Sequence, residues 1–225
     1  RQFFATMPAD SGMSFVVVQH LQHGRKSMMA EVMGTYTDMP VAEASEGRRV
    51  EPNHIYVIPA DILLTIQNGS LHLESWKGEL PRRMPIDTFF CALAEDQGRN
   101  AVAIVMSGAG SDGTIGVRAI KECGGLAMAE ALPGARGSGA FESMSQSAVA
   151  TGLVDFVVPA HEMPHHLVSY VQHLHEVTER KGVETVEHEA STHLKDICAI
   201  LLARKGRDFR HYKTSTLLRR IQRRM

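Results

Sequence analysis

Apolar residues along this chain fall into short continuous runs separated by stretches of helical periodicity. Residues 15–19 (Phe-Val-Val-Val-Gln) and 101–106 (Ala-Val-Ala-Ile-Val-Met) are apolar on both alternating faces and rich in β-branched side chains. Runs of that kind predict strands covered on both sides, as in a parallel sheet. Residues 126–129 and 154–158 repeat the pattern more weakly. Between the runs, Phe89, Phe90, Leu93 and Ala94 recur at helical spacing within 85–97. Ile115, Ala119 and Ile120 share a face of a helix over 115–122 that Gly124-Gly125 stops. Phe3, Phe4 and Met7 mark a further helix over 1–7, with no strand written before it. An α/β domain ordinarily feeds such a helix from a strand, so the chain is expected to start after its first strand. The alternation predicts an α/β fold: a doubly wound, mostly parallel sheet with right-handed crossovers. Residues 50–76 break the rhythm. Strands at 55–59 and 63–66, the Asn68-Gly69 turn and the run 71–73 read as an antiparallel hairpin appended to the sheet.

Past residue 174 the pattern changes. Residues 175–192 are polar, charged and aperiodic, which predicts a linker. From 193 an amphipathic helix begins, with Leu194, Ile197, Cys198, Leu201 and Leu202 on one face and Ser191 or Thr192 as its cap. A second helix over 215–225 places Leu217, Leu218, Ile221 and Met225 inside. The organisation is thus a domain over 1–174, a linker over 175–192 and a short all-α segment over 193–225.

Composition narrows the partners. The 225 residues are 44% hydrophobic and 22% charged, ordinary for a soluble globular protein. Aromatics at 6% argue against a base-stacking surface for single-stranded nucleic acid. No apolar run reaches the length of a membrane span, so no membrane insertion is expected. Cys91, Cys123 and Cys198 are odd in number and far apart, which reads as free thiols in a reducing, cytoplasmic compartment. The net charge of −1 hides an asymmetry: residues 1–175 hold 12 basic and 18 acidic side chains, residues 176–225 hold 12 and 7. Residues 204–225 alone carry nine Lys and Arg against one acid. With no base-reading motif beside it, that charge reads as a solvated helix face, not as a nucleic-acid site.

In a parallel sheet the residues just past the strands' carboxyl ends gather on one edge, where ligands bind. His20 follows the run 15–19. Asp112 lies in Ser107-Gly108-Ala109-Gly110-Ser111-Asp112-Gly113, which follows the run 101–106. A His oriented by an Asp supplies two members of a nucleophilic triad, the Asp fixing the imidazole tautomer and stabilising the imidazolium. Alternatively His20 is a packed structural residue. The same loop also fits Gly108-x-Gly110-x-x-Gly113, the dinucleotide fingerprint, with Glu130 as a ribose-binding acid. That would make the chain an oxidoreductase, but Asp112 would set a carboxylate against the pyrophosphate. His161, His165, His166, His173 and His175 have no carboxylate or Cys completing a ligand set, so no metal site is expected.

Three stretches together resemble one family: Val16-Val17-Val18-Gln19-His20-Leu21, Val50-Glu51-Pro52-Asn53-His54-Ile55-Tyr56-Val57-Ile58-Pro59, and Ser107 through Gly113. In this order and at these distances they resemble the catalytic domain of the bacterial chemotaxis protein-glutamate methylesterase, over residues 1 to about 174. The resemblance implies hydrolysis of glutamate methyl esters, and deamidation of certain glutamines, on the cytoplasmic segments of methyl-accepting chemoreceptors. It implies His20 as general base, Asp112 as orienting acid and the backbone N–H of Ala109, where the family usually has Met, as an oxyanion donor. The family's nucleophile is a Ser in a Gly-x-Ser-x-Gly-Gly turn after the first strand. No residue here matches it, so the chain alone is expected to be inactive, and Ser107 and Ser111 are not expected to replace it. The family's Gly-Met-Pro turn is Ser143-Met144-Ser145 here.

The stretch from Asp208 to Met225 is similar to the start of the chemotaxis receptor methyltransferase. That implies receptor docking by Arg219, Arg220, Arg223 and Arg224, and a fusion of the two opposing enzymes. The methyl-donor domain would follow Met225, so S-adenosylmethionine is not a cofactor expected of these residues, and no other cofactor is. The alternative in the binding class is a docking module without catalysis.

Overall fold

The structure, a computed structural model, describes residues 1–19, 28–75, 84–131 and 144–180, together with Leu194, Cys198 and Leu217. Two compact units divide at His166 and Leu167. In the first unit the order is α1 (Gln2–Thr6), β1 (Phe15–Val17), α2 (Met29–Gly34), β2 (Val41–Glu43), β3 (Ile55–Val57), β4 (Ile62–Gln67) and β5 (Ser70–Ser75). There follow α3 (Pro85–Gln97), β6 (Val102–Val105), α4 (Thr114–Glu122), β7 (Leu126–Glu130), α5 (Met144–Ala150), β8 (Phe156–Val158) and α6 (Met163–Arg180), which runs on into the second unit.

The expected α/β architecture with mostly parallel pairing is present. One sheet has the order β1-β3-β2 and another the order β6-β7-β8, parallel throughout, with registers Phe15↔Ile55, Val41↔Ile55, Ala103↔Ala127 and Ala129↔Val157. The central strands are those with no polar face: β3 is wholly buried, and β7 is buried from Leu126 to Ala129. β4 and β5 form the appended antiparallel hairpin. Its turn residues Asn68 and Gly69 have φ of 51° and 72°, the left-handed pair that a two-residue type I′ turn demands. Gly69 N–H donates to Asp96 Oδ2 at the end of α3 (3.2 Å), which fixes the hairpin to that helix.

Three features differ from the sequence reading. β3 belongs to a parallel sheet, not to the hairpin, because β2 supplies a second parallel neighbour. Neither β2 nor α2 was legible, since both are short and largely exposed. Ile115 is 58% exposed, and α4 buries Gly116, Val117, Ile120 and Lys121 instead. The cause is Gly116: a Cβ there would lie 2.3 Å from Phe90 Cβ, so its bare Cα is what lets α3 and α4 approach. Gly116→Ala is therefore expected to destabilise the fold by about 1–3 kcal/mol in urea titration through overpacking. At an unconstrained helix position the same change would stabilise by up to about 1 kcal/mol.

Both sheets, the hairpin and α3 and α4 share one core built around Tyr56, Leu64, Leu71, Phe89, Val105 and Ile120. α1 is anchored on β1 by edge-to-face contacts of Phe3 and Phe4 with Phe15, with centroids 6.0 and 5.4 Å apart. α4 ends in a Schellman arrangement, with Gly125 N–H donating to Ile120 O (2.7 Å), Gly124 N–H to Lys121 O (3.2 Å) and Gly124 at φ 87°.

α6 continues to Arg180, past the position where the linker was expected to begin; residues 181–193 lie outside the described residues. In the second unit Leu194, Cys198 and Leu217 are helical and Leu217 is buried, while the rest of 193–225 lies outside the described residues. No helix among the described residues is long and apolar enough to cross a membrane.

Candidate active site

The glycine loop between β6 and α4 is held from three directions. Gly110 and Gly113 have φ of 94° and 97°, a conformation that side chains rarely adopt, and these two residues turn the chain from strand into helix. Ser107 N–H donates to Glu130 Oε2 at the end of β7 (2.7 Å). Met144 N–H at the start of α5 donates to Gly108 O (2.8 Å), and the Met144 side chain lies so close that a Cβ on Gly108 would sit 2.2 Å from its Cε. Ser147 Oγ donates to Gly110 O (3.2 Å). Glu130, weighed above as a ribose-binding acid, thus serves as a backbone tether. Met144, from the stretch that departs from the family's Gly-Met-Pro turn, closes the loop from above.

Asp112 is buried, 5% exposed. Its carboxylate turns away from the helix it precedes and accepts two N–H groups at the start of α3: Ile86 to Oδ2 (3.0 Å) and Asp87 to Oδ1 (2.9 Å). Those are orphan donors of a helix N-terminus, where a carboxylate is favoured by both hydrogen bonds and dipole. Both oxygens are thus held by the backbone of α3.

Asp87 answers from α3. It is also 5% exposed, and its Oδ1 accepts Gly116 N–H in the first turn of α4 (2.8 Å). Burial pushes its carboxyl above the ordinary range and the neighbouring Asp112 charge pushes it further, against the N–H groups of Gly116, Gly113 and Ile115, which pull it down. The thiol of Cys91, one turn further along α3, is raised by burial and by the charges of Asp87 and Glu95. Sequence reasoning passed over Asp87. Its only signal was an acid in the first turn after a Pro at the helix start, which reads as dipole complement alone.

Of the residues expected at the site, Asp112 and Ala109 are described. Ala109 is exposed at the crest of the loop, as are Ser107 and Ser111. His20 lies outside the described residues, three positions beyond β1, and so do Arg219, Arg220, Arg223 and Arg224. His54 Nδ1 donates to Pro52 O (2.8 Å), which accounts for it as a turn residue. His166 stacks on Phe156 at 5.1 Å between centroids.

The family described as CheB methylesterase matches residues 1–167. A protein of Geobacter metallireducens named protein-glutamate methylesterase/protein-glutamine glutaminase 1 is 31% identical over 176 residues, covering 76% of this chain and 47% of that protein. An uncharacterized 104.1 kDa protein of Rhodobacter capsulatus is 30% identical over 216 residues, covering 88% of this chain and 22% of that protein. This chain therefore spans between about a fifth and a half of the length of these relatives. The crystal structure of the Thermotoga maritima CheB methylesterase catalytic domain superposes with a TM-score of 0.64 at 27% identity, covering 75% of this chain and 89% of that one.

Proposed function

Because the chain belongs to the CheB methylesterase family, we propose that it is the part of a protein-glutamate methylesterase that supplies the base, the acid and an oxyanion donor. Its substrates would be glutamate methyl esters on the cytoplasmic segments of chemoreceptors. Asp112 carries the assignment. It is a buried carboxylate at the end of a strand-to-helix loop, fixed in place by two backbone N–H groups, the kind of preset acid that orients an imidazole. A dinucleotide site is not favoured, since Glu130 is bonded to Ser107 and the family match points elsewhere.

In the mechanism that follows, His20 takes the proton of a Ser hydroxyl as its oxygen attacks the ester carbonyl, and Asp112 holds the imidazole and stabilises its cation. The N–H of Ala109, on the exposed loop crest, donates to the oxyanion of the tetrahedral intermediate. The imidazolium of His20 then gives its proton to the methoxide oxygen as the C–O bond breaks, releasing methanol, and water attacks the acyl-enzyme with the same base to free the carboxylate. The chemistry calls for no cofactor. No residue of 1–225 matches the family's Ser turn, so these residues alone are expected to be inactive.

We further propose that the longer protein joins this domain to a receptor methyltransferase, and that Arg219, Arg220, Arg223 and Arg224 dock acidic receptor segments. The match to the Rhodobacter capsulatus protein supports a shared organisation. It takes in more of the chain than the 1–167 span of the family and so runs on into the second unit. Free Cys91, Cys123 and Cys198 suit the cytoplasm.

The test is methanol release from a methylated receptor segment. The full-length protein should release methanol and residues 1–225 should not. Salt-sensitive receptor binding by the full-length protein without any methanol release would overturn the reading in favour of a docking module.

A further inference from the structure

The geometry points to Asp87 as a positioning residue that holds the Asp112 carboxylate, and through it the general base, in working geometry; this rests on the reading of Asp112 given above. An acid in the first turn of a helix ordinarily faces water and complements its own helix dipole. Asp87 does neither. It is buried and reaches across to cap the next helix in the chain, accepting Gly116 N–H at 2.8 Å, while its own N–H is donated to Asp112 at 2.9 Å. Gly116 lies four residues after Asp112 on the same rigid turn. Each carboxylate therefore grips the backbone that carries the other, and loosening one loosens both. Gly116 adds to the coupling, because its bare Cα already sets α4 against Phe90 of α3.

The other Asp87 oxygen argues that charge matters as well as grip. Oδ2 is buried and has no hydrogen-bond partner among the described residues. A cap needed only for structure would avoid that cost with Asn, Ser or Thr, whose single side-chain oxygen satisfies the helix N–H. What the carboxylate adds is a second negative charge behind Asp112, and that favours the imidazolium formed when the base takes its proton. Among the described residues, the groups facing Asp87 leave the charge uncancelled. Asp112 is of like sign and Cys91 is a thiol held protonated. β4 (Ile-Leu-Leu-Thr-Ile-Gln) carries no titratable side chain. On α4, Arg118 and Glu122 are exposed and Lys121 is bonded to Asp155.

The experiment compares Asp87→Ala, Asp87→Asn and Asp112→Asn with the parent in the full-length protein, reading kcat, KM and the pH profile of kcat/KM for methanol release. Asp87→Ala should lower kcat about 10- to 100-fold with KM within about twofold, the size of effect that a small misplacement of a catalytic group produces. Asp87→Asn keeps an oxygen for Gly116 N–H. It should recover most of kcat but move the acid limb of the profile, which reports the base, to lower pH by about half a unit. A parent-like kcat in Asp87→Ala, or an unmoved acid limb in Asp87→Asn, would overturn the proposal. Should Asp87→Ala fail to fold, the limb of the Asn variant decides alone. Asp112→Asn separates the two readings: an undiminished rate there removes the role of Asp112 itself, whatever the Asp87 variants do.

Discussion

Asp112→Asn in the full-length protein is expected to lower the rate of ester hydrolysis by about three to four orders of magnitude, the loss that follows when a triad acid becomes an amide and the imidazole settles in the wrong tautomer. The local geometry sharpens the expectation. Both oxygens of Asp112 accept backbone N–H groups, from Ile86 and Asp87. In the Asn variant one of these donors must face an NH2 group. The substitution should therefore also cost about 1–3 kcal/mol of stability, the penalty of a buried donor left unmade. The two effects separate by measurement, because activity is assayed well below the melting transition while stability is read from urea titration. A variant that stays folded and keeps more than about a tenth of the parental rate would remove Asp112 from the chemistry, since even modest general-base assistance exceeds that margin.

Asp155→Ala is expected to lower stability by about 3 kcal/mol, far more than the loss of an ordinary surface ion pair. Lys121 on α4 has a side chain only 4% exposed. Its ammonium is bonded to Asp155 Oδ2 (2.5 Å) and Gly125 O (3.1 Å). The same Asp155 oxygen accepts Ala127 N–H from β7 (2.9 Å). Truncating Asp155 takes the neutralising carboxylate from a buried cation, and stranding one member of a buried pair costs about 3–5 kcal/mol. Asp155 is itself 21% exposed, which puts the expectation at the lower end of that range. In a protein of this size the melting temperature should fall by about 6–12 °C. Adding Lys121→Met should restore a substantial part of the loss, since the stranded charge goes with it. A fall of less than about 2 °C in the single variant would mean that water reaches the ammonium.

Much of the framework was legible because its physical cause is local. Consecutive apolar, β-branched residues specified β1 and β6, and a plain apolar run specified β7; Asn68-Gly69 specified the hairpin turn; Pro85 and the spacing of Phe89, Phe90 and Ala94 specified α3. What escaped depends on partners distant in the chain. Ile115 is apolar and in phase, yet exposed, because a glycine rather than a large side chain occupies the contact with Phe90. β2 is three residues long with two of them exposed, so nothing in its pattern separates it from a loop. At the site, the loop 107–113 and its Asp112 stood out through their glycines and their place after a strand. The tethers did not. Glu130 reads equally well as a ribose ligand, Met144 as core filler and Asp87 as an ordinary first-turn acid, until the fold sets each of them against the loop.

The crossed clasp between the starts of α3 and α4 also bears on how the reaction would spend its activation energy. A surface carboxylate must shed water and find its rotamer each time a cation develops beside it. Asp112 has shed most of its water and is fixed by the backbone of α3 before any ester arrives. In the proposed mechanism its solvent reorganisation would be completed once, as the chain folds, and would drop out of every turnover that follows.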